Sequence, residues 1–191
     1  MADMSGVLTG DRAISIIMLK NHEGRDFQMH LTDLQPKEKW VELQQELHDR
    51  FHLNADVMDR DGTRLTGNTW GNDLCRAIRE DAKGHGAICA PAGQVFVHLM
   101  QEGRAAFVEE CDAGMVRISV PVIKDGELLG SVGGCGLMPE EGEVDEFMVE
   151  MSTDMDAETV AGLAKTVPVA SEQRVREILE FIEARVAELI T

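Results

Sequence analysis

The chain has 191 residues, 43% of them hydrophobic and 4% aromatic, with no Tyr, eleven Met, four Cys and a formal net charge of −17. That length supports one well-buried domain with a decorated end, and it is short for two. The charge argues against direct nucleic-acid binding, which needs Lys/Arg patches that displace counterions from phosphates, and the scarce aromatics leave an aliphatic, Met-rich, deformable core.

The opening MADMSGVLTGDRAISIIMLKNHEG has a short apolar stretch, but Asp3 and Asp11 precede it and no small-residue cleavage pattern comes after it. It reads as neither signal peptide nor membrane span. Residues 1–33 are expected to be an N-terminal extension, an extra strand and helix packed on the domain. Without export, a reducing cytoplasm is the expected location, which favours free thiols or thiolate ligands over structural disulfides.

From 34 to 53, Trp40, Leu43, Leu47 and Phe51 recur at helical spacing, with Pro36 tolerated in the first turn. Ala55 to Met58 reads as a strand, and Asp61-Gly62 as a hairpin turn into a second one. A helix is predicted over about 69–81, with Leu74, Cys75 and Ile78 on one side. A loop with Gly84 and Gly86 comes next, then a helix carrying Ile88, Ala92, Val95 and Leu99 that begins near Pro91 and ends at Gly103. That placement leaves Cys89 just outside a helix N-terminus, where the macrodipole favours a thiolate.

Phe107 to Cys111 is predicted as a strand, and Val116 to Val122 alternates like a half-buried one. Asp125-Gly126 turns the chain into a glycine-rich strand, Leu128 to Cys135, and glycine in a strand marks a bulge or a backbone approached closely by a ligand. Helices are predicted near 143–152, 156–166 and 171–190. The last has a 4-3-4-3 seam of Val175, Leu179, Ile182, Val186 and Leu189, which suits docking on the domain or pairing with a second copy as a homodimer. Residues 139–158 hold nine acidic and no basic side chains, the composition of a solvated face. The fold class is thus α+β, a central antiparallel sheet flanked by helices as in PAS and GAF domains, with a C-terminal helix.

Four cysteines, Cys75, Cys89, Cys111 and Cys135, each fall at the edge of a different predicted element. Their spacing matches no CxxC knuckle, so any shared site must be assembled by folding. Singly, each reads as a small buried hydrophobe; together they read as a four-thiolate set for Zn²⁺ or an iron–sulfur cluster, as an apolar or reactive-thiol pocket, or as disulfides.

The run Leu43 to Phe51, Ala55-Asp56-Val57 with Asp61-Gly62, Leu74 to Arg79, Cys89, Cys111-Asp112-Ala113-Gly114, Val120-Pro121-Val122 and Leu129 to Gly134 resembles the PocR sensory domain over roughly residues 38–150. The resemblance implies a small-molecule sensor related to PAS and GAF folds, with a ligand site at Cys75, Cys89, Cys111, Gly133 and Gly134. Such domains are often fused to histidine kinases or transcription regulators and are proposed to bind small hydrocarbon-like molecules. Two positions depart from the family pattern: Asp112 stands where a His is common, and Cys135 where a Gln-like residue is. The domain is set at 34–152, with 153–191 a helical segment for docking or dimerisation.

The expected function is a cytoplasmic sensor that binds a small molecule or a Cys-ligated metal centre and signals to an output partner by conformational change. The alternative is an iron–sulfur redox, gas-sensing or electron-carrying protein. His85 and His98 are candidates for haem iron, and His48 and His52 stand i, i+4 but lack an HExxH motif; solvated surfaces account for both pairs better. No GxSxG elbow, Walker loop or dinucleotide fingerprint is present, and a Cys89/His85 thiolate–base pair is the sole catalytic arrangement to consider, so no enzyme is expected.

Overall fold

A computed structural model describes residues 28–191, so most of the expected N-terminal extension lies outside the described residues. Helices α1 (Leu31–Leu34) and α2 (Lys37–Phe51) lead into strand β1 (Asn54–Asp59). Helix α3 (Asp73–Glu80) is succeeded by α4 (Ala82–Gly84), a π-turn (His85–Cys89) and α5 (Ala90–Gly103). Strands β2 (Phe107–Glu110), β3 (Val116–Lys124) and β4 (Glu127–Pro139) come next, then α6 (Glu146–Ser152), α7 (Ala157–Ala164), β5 (Val169–Ala170) and α8 (Glu172–Leu189).

The sheet runs β1-β4-β3-β2, all antiparallel, with β5 pairing parallel to the end of β4. The β3–β4 hairpin turns on Asp125 and Gly126, both at positive φ, as a two-residue turn matching strand twist requires. This is an α+β fold with helices on a central antiparallel sheet, as the strand and helix patterns predict.

One sheet face is apolar. Ala55 and Val57 of β1, Ile118, Val120 and Val122 of β3, and Val132 of β4 share a core with Trp40, Leu43 and Leu47 of α2 and Ile178, Ile182 and Val186 of α8. The seam of the last helix therefore docks on the domain's own sheet. Alternate residues point the other way, and there the strands carry Asp56, Arg117, Ser119 and Ser131, all buried. A second core, with Leu74, Ile78, Ile88, Met115, Val149 and Val160, packs helices α3, α6 and α7 beyond the strand ends.

Several expectations are corrected. Asp61-Gly62 does not open a second strand: the chain returns only as an isolated bridge between Met58 and Arg64, and β1 takes β4 as its partner. The predicted Gly84–Gly86 loop is helical, so Cys89 sits within a continuous helical run with αR backbone rather than ahead of an N-terminus. Strand β3 is covered on both faces along most of its length, because α8 packs on one side and Phe96 of α5 on the other. Among the described residues no helix is long and apolar enough to cross a membrane.

Candidate functional site

A β-bulge organises the site. Val116 pairs with Leu137 but Arg117 pairs with Cys135, so Gly136 is an extra residue in β4. Such an insertion switches the side-chain phase of a strand; here Leu137 joins the apolar core while Cys135 turns to the polar face. Gly136 has φ +95°, and a Cβ there would lie 2.3 Å from Asn54 Nδ2 and 2.7 Å from Asn72 Nδ2. Those two amides grip the bulge: Asn72 donates to Gly136 O at 2.9 Å and Asn54 to Cys135 Sγ at 3.8 Å. Each has a second task, since Asn72 Oδ1 caps α3 by accepting from Cys75 N at 2.7 Å and Asn54 Oδ1 accepts from Gly71 N at 2.7 Å.

The result is that all four cysteines line one cavity of about 50 Å³. Cys75 comes from α3, Cys89 from the end of the π-turn, Cys111 from the β2–β3 connection and Cys135 from the bulged strand. All four are free thiols. Trp70, Ile78, Ile88, Phe96 and Met115 supply apolar wall, and Arg64, Arg79 and Arg117 supply charge. The π-turn is a local irregularity of the kind often found at functional sites, because it shifts the register of the helix downstream of it.

The thiols are not equivalent. A hydrogen bond from the Cys75 thiol, and then the Arg117 guanidinium, lower Cys135 to about 6. Cys75, as the donor in that bond and by burial, is raised well above the ordinary thiol range, and its Sγ lies 3.4 Å from Met115 Sδ. Burial lifts Cys89 to about 11 and also raises Cys111. A helix-dipole argument on the sequence puts the low-pKa thiol at Cys89; the folded chain places it at Cys135, because that sulfur has both a thiol donor and a nearby cation.

Below the cavity, Asp56 Oδ2 accepts from Arg64 at 3.2 Å and from Arg117 at 3.3 Å. Arg117 also stacks over Phe96, 4.6 Å from the ring centre. The Nε atoms of both arginines are buried with no hydrogen-bond partner. Sequence reasoning missed these arginines and Asp56. On an alternating strand a charged residue reads as the solvent-facing phase, and only Arg117's position within the most apolar strand hinted otherwise.

Of the other predicted residues, Gly133 and Gly134 do not line the cavity. A Cβ on Gly133 would lie 2.0 Å from Ile118 O, and one on Gly134 3.0 Å from Asn54 O, so their small size lets three strands pair closely. His98 is exposed and pairs with Glu102 at 3.3 Å, His48 Nδ1 lies 3.1 Å from Leu53 O, and His52 ends α2 in the left-handed conformation. His85 and Cys89 both border a second groove that shares Arg64, Arg79, Cys89 and Arg117 with the cavity.

Four sulfurs are the right donors for zinc or an iron–sulfur cluster. Among the described residues, however, no three His, Cys, Asp or Glu side chains stand close enough to hold one ion together. As they stand, these side chains do not form a single-ion site.

A family model described as the sensory domain found in PocR matches residues 33–191. The match extends well beyond 38–150, which is consistent with α8 packing in the same core as the sheet. No curated protein and no solved structure gives a match. Residues 33–191 span most of the chain, and the protein belongs to the PocR sensory domain family.

Proposed function

We propose that this chain senses a small molecule in the four-cysteine cavity and reports its presence through α8 to an output partner. The observation that carries the reading is the convergence of Cys75, Cys89, Cys111 and Cys135, from four separate elements, on one cavity walled by apolar side chains and arginines. The cavity of about 50 Å³ is small, so uptake of an organic ligand moves its walls. Strand β4 connects input to output: Cys135 faces the cavity, while Val132 and Leu137 of the same strand belong to the core that holds α8.

The competing reading is a Cys-ligated iron–sulfur centre, with redox or gas sensing or electron carriage as the role. It is favoured by the charge around the sulfurs. Three guanidiniums less Asp56 leave two positive charges at the cavity, and an oxidised all-thiolate cluster carries two negative ones. Metal analysis and a visible spectrum of protein purified without oxygen separate the two. Iron with labile sulfide establishes the cluster, whereas a colourless, metal-free protein that still binds a small organic compound establishes the first reading. The cytoplasmic setting proposed with either rests on the free thiols alone.

A further inference from the structure

We propose that the ligand of the cavity is a short-chain monocarboxylate, its carboxylate taken by the Nε edges of Arg64 and Arg117 and its hydrocarbon part by the wall of Ile78, Ile88, Phe96 and Met115. The inference rests on the small-molecule reading of the cavity and names the ligand's class.

The first ground is an incomplete hydrogen-bond set. Buried polar side-chain atoms in folded proteins are almost always paired, and a guanidinium offers five N–H donors in a fixed fork. Here two guanidiniums share a single oxygen, Asp56 Oδ2, and both Nε groups are buried without an acceptor. Arg117 is itself only 7% exposed. Arg117 is held over Phe96, 4.6 Å from the ring centre, and a carboxylate meets a guanidinium edge with two parallel bonds.

The second ground is charge. In a chain of net charge −17, one small region gathers Arg64, Arg79 and Arg117. Against the three guanidiniums stands the carboxylate of Asp56, so the arginines are short of anionic partners. A carboxylate on the ligand reduces that deficit and matches the planar guanidinium edge. Burial pulls the Arg64 guanidinium below its ordinary range, with Asp56 offsetting only part of the cost, as expected of a cation short of anions.

The third ground is size. The cavity of about 50 Å³ is small, and its apolar wall of Trp70, Ile78, Ile88, Ala92, Phe96 and Met115 suits a short hydrocarbon chain. Acetate, propionate and butyrate fit both limits.

The test is calorimetric titration of the full reduced chain with propionate and with propionamide, its neutral isostere. The proposal expects propionate to bind and propionamide to bind more weakly by roughly tenfold or more, since an unmet buried cation gains only from the anion. Arg117→Met is expected to abolish the difference. Should that variant fail to fold, Arg64→Gln replaces a residue with a more exposed side chain, at 20%, and is expected to weaken propionate by roughly tenfold as well. Equal affinity for the two probes, wild-type affinity in a folded Arg64→Gln, or no binding of acetate, propionate and butyrate overturns the proposal. Iodoacetamide labelling of Cys135 in the same samples separates the two claims. If propionamide or Zn²⁺ protects Cys135 while carboxylates do not, the cavity remains the input site and the carboxylate class is wrong. If no probe protects it, both fall.

Discussion

Replacing Gly136 by Ala perturbs the bulge that aims Cys135, and the structure gives the cost in parts. At φ +95° an L side chain is strained, by about 1–2 kcal/mol on the scale of a left-handed residue. The new Cβ meets two amide nitrogens at 2.3 and 2.7 Å, so Asn54 and Asn72 must both move. Moving Asn72 loosens its bond to Gly136 O and its cap on α3, and each such bond is worth about 1 kcal/mol. The total is about 3–4 kcal/mol, which for a domain of this size lowers Tm by about 6–16 °C. Thermal and urea unfolding measure it, with Gly162→Ala in α7 as the reference. A Cβ at Gly162 meets nothing within 4 Å, and in a helix it is expected to stabilise by up to about 1 kcal/mol. A loss below about 1 kcal/mol for Gly136→Ala would show that the two asparagines do not hold the bulge as described.

The same geometry has other consequences. Cys135 is expected to be the thiol alkylated fastest, with a rate midpoint near pH 6; Cys75→Ala removes the donor and moves the midpoint toward the ordinary thiol value of 9, while Cys75→Ser, which keeps a donor, moves it less. Because the folded-state value of Cys135 is depressed, its contribution to stability is full above pH 9 and is lost as pH falls through 6; the difference between wild type and Cys135→Ala in urea unfolding therefore grows as pH rises across that window. Asn72→Ala loses both the cap and the bond to Gly136 O and is expected to cost about 2 kcal/mol in the same assay. Ile182→Ala, at the fully buried centre of α8, is expected to cost about 3 kcal/mol, which a helix merely resting on the domain or reserved for a second copy would not lose.

Periodicity made most of the architecture legible. The helical spacing of Trp40, Leu43, Leu47 and Phe51, the alternation after Val116 and the seam ending at Leu189 all reflect a single buried face, and each element forms where its spacing puts it. The errors arose where non-local contacts override local signals. Asp61-Gly62 makes its turn, but the returning segment reaches β1 only through the Met58–Arg64 bridge, while the long-range partner of β1 is β4, a choice no local pattern encodes. The glycines at 84 and 86 look like a loop because glycine disfavours helix, yet a Cβ at Gly84 would lie 2.7 Å from Ile78 O, so close packing accounts for that glycine within the helical run. The cysteines were visible as a set, and their convergence comes from their positions at element ends. The arginines were not, because their burial depends on Asp56 and on Phe96 covering the sheet from a distant helix.

Entry of a ligand into the four-cysteine cavity is tested by methyl NMR of the reduced chain titrated with an anaerobically prepared low-molecular-weight cell extract. The methyls of Met115, Ile78 and Ile88, which line the cavity, are expected to shift together and saturate, while exposed Met151 on α6 does not respond. Shifts confined to Met138, Val144 and Val169, which line the groove beside α6, or no response at the cavity methyls, would contradict it.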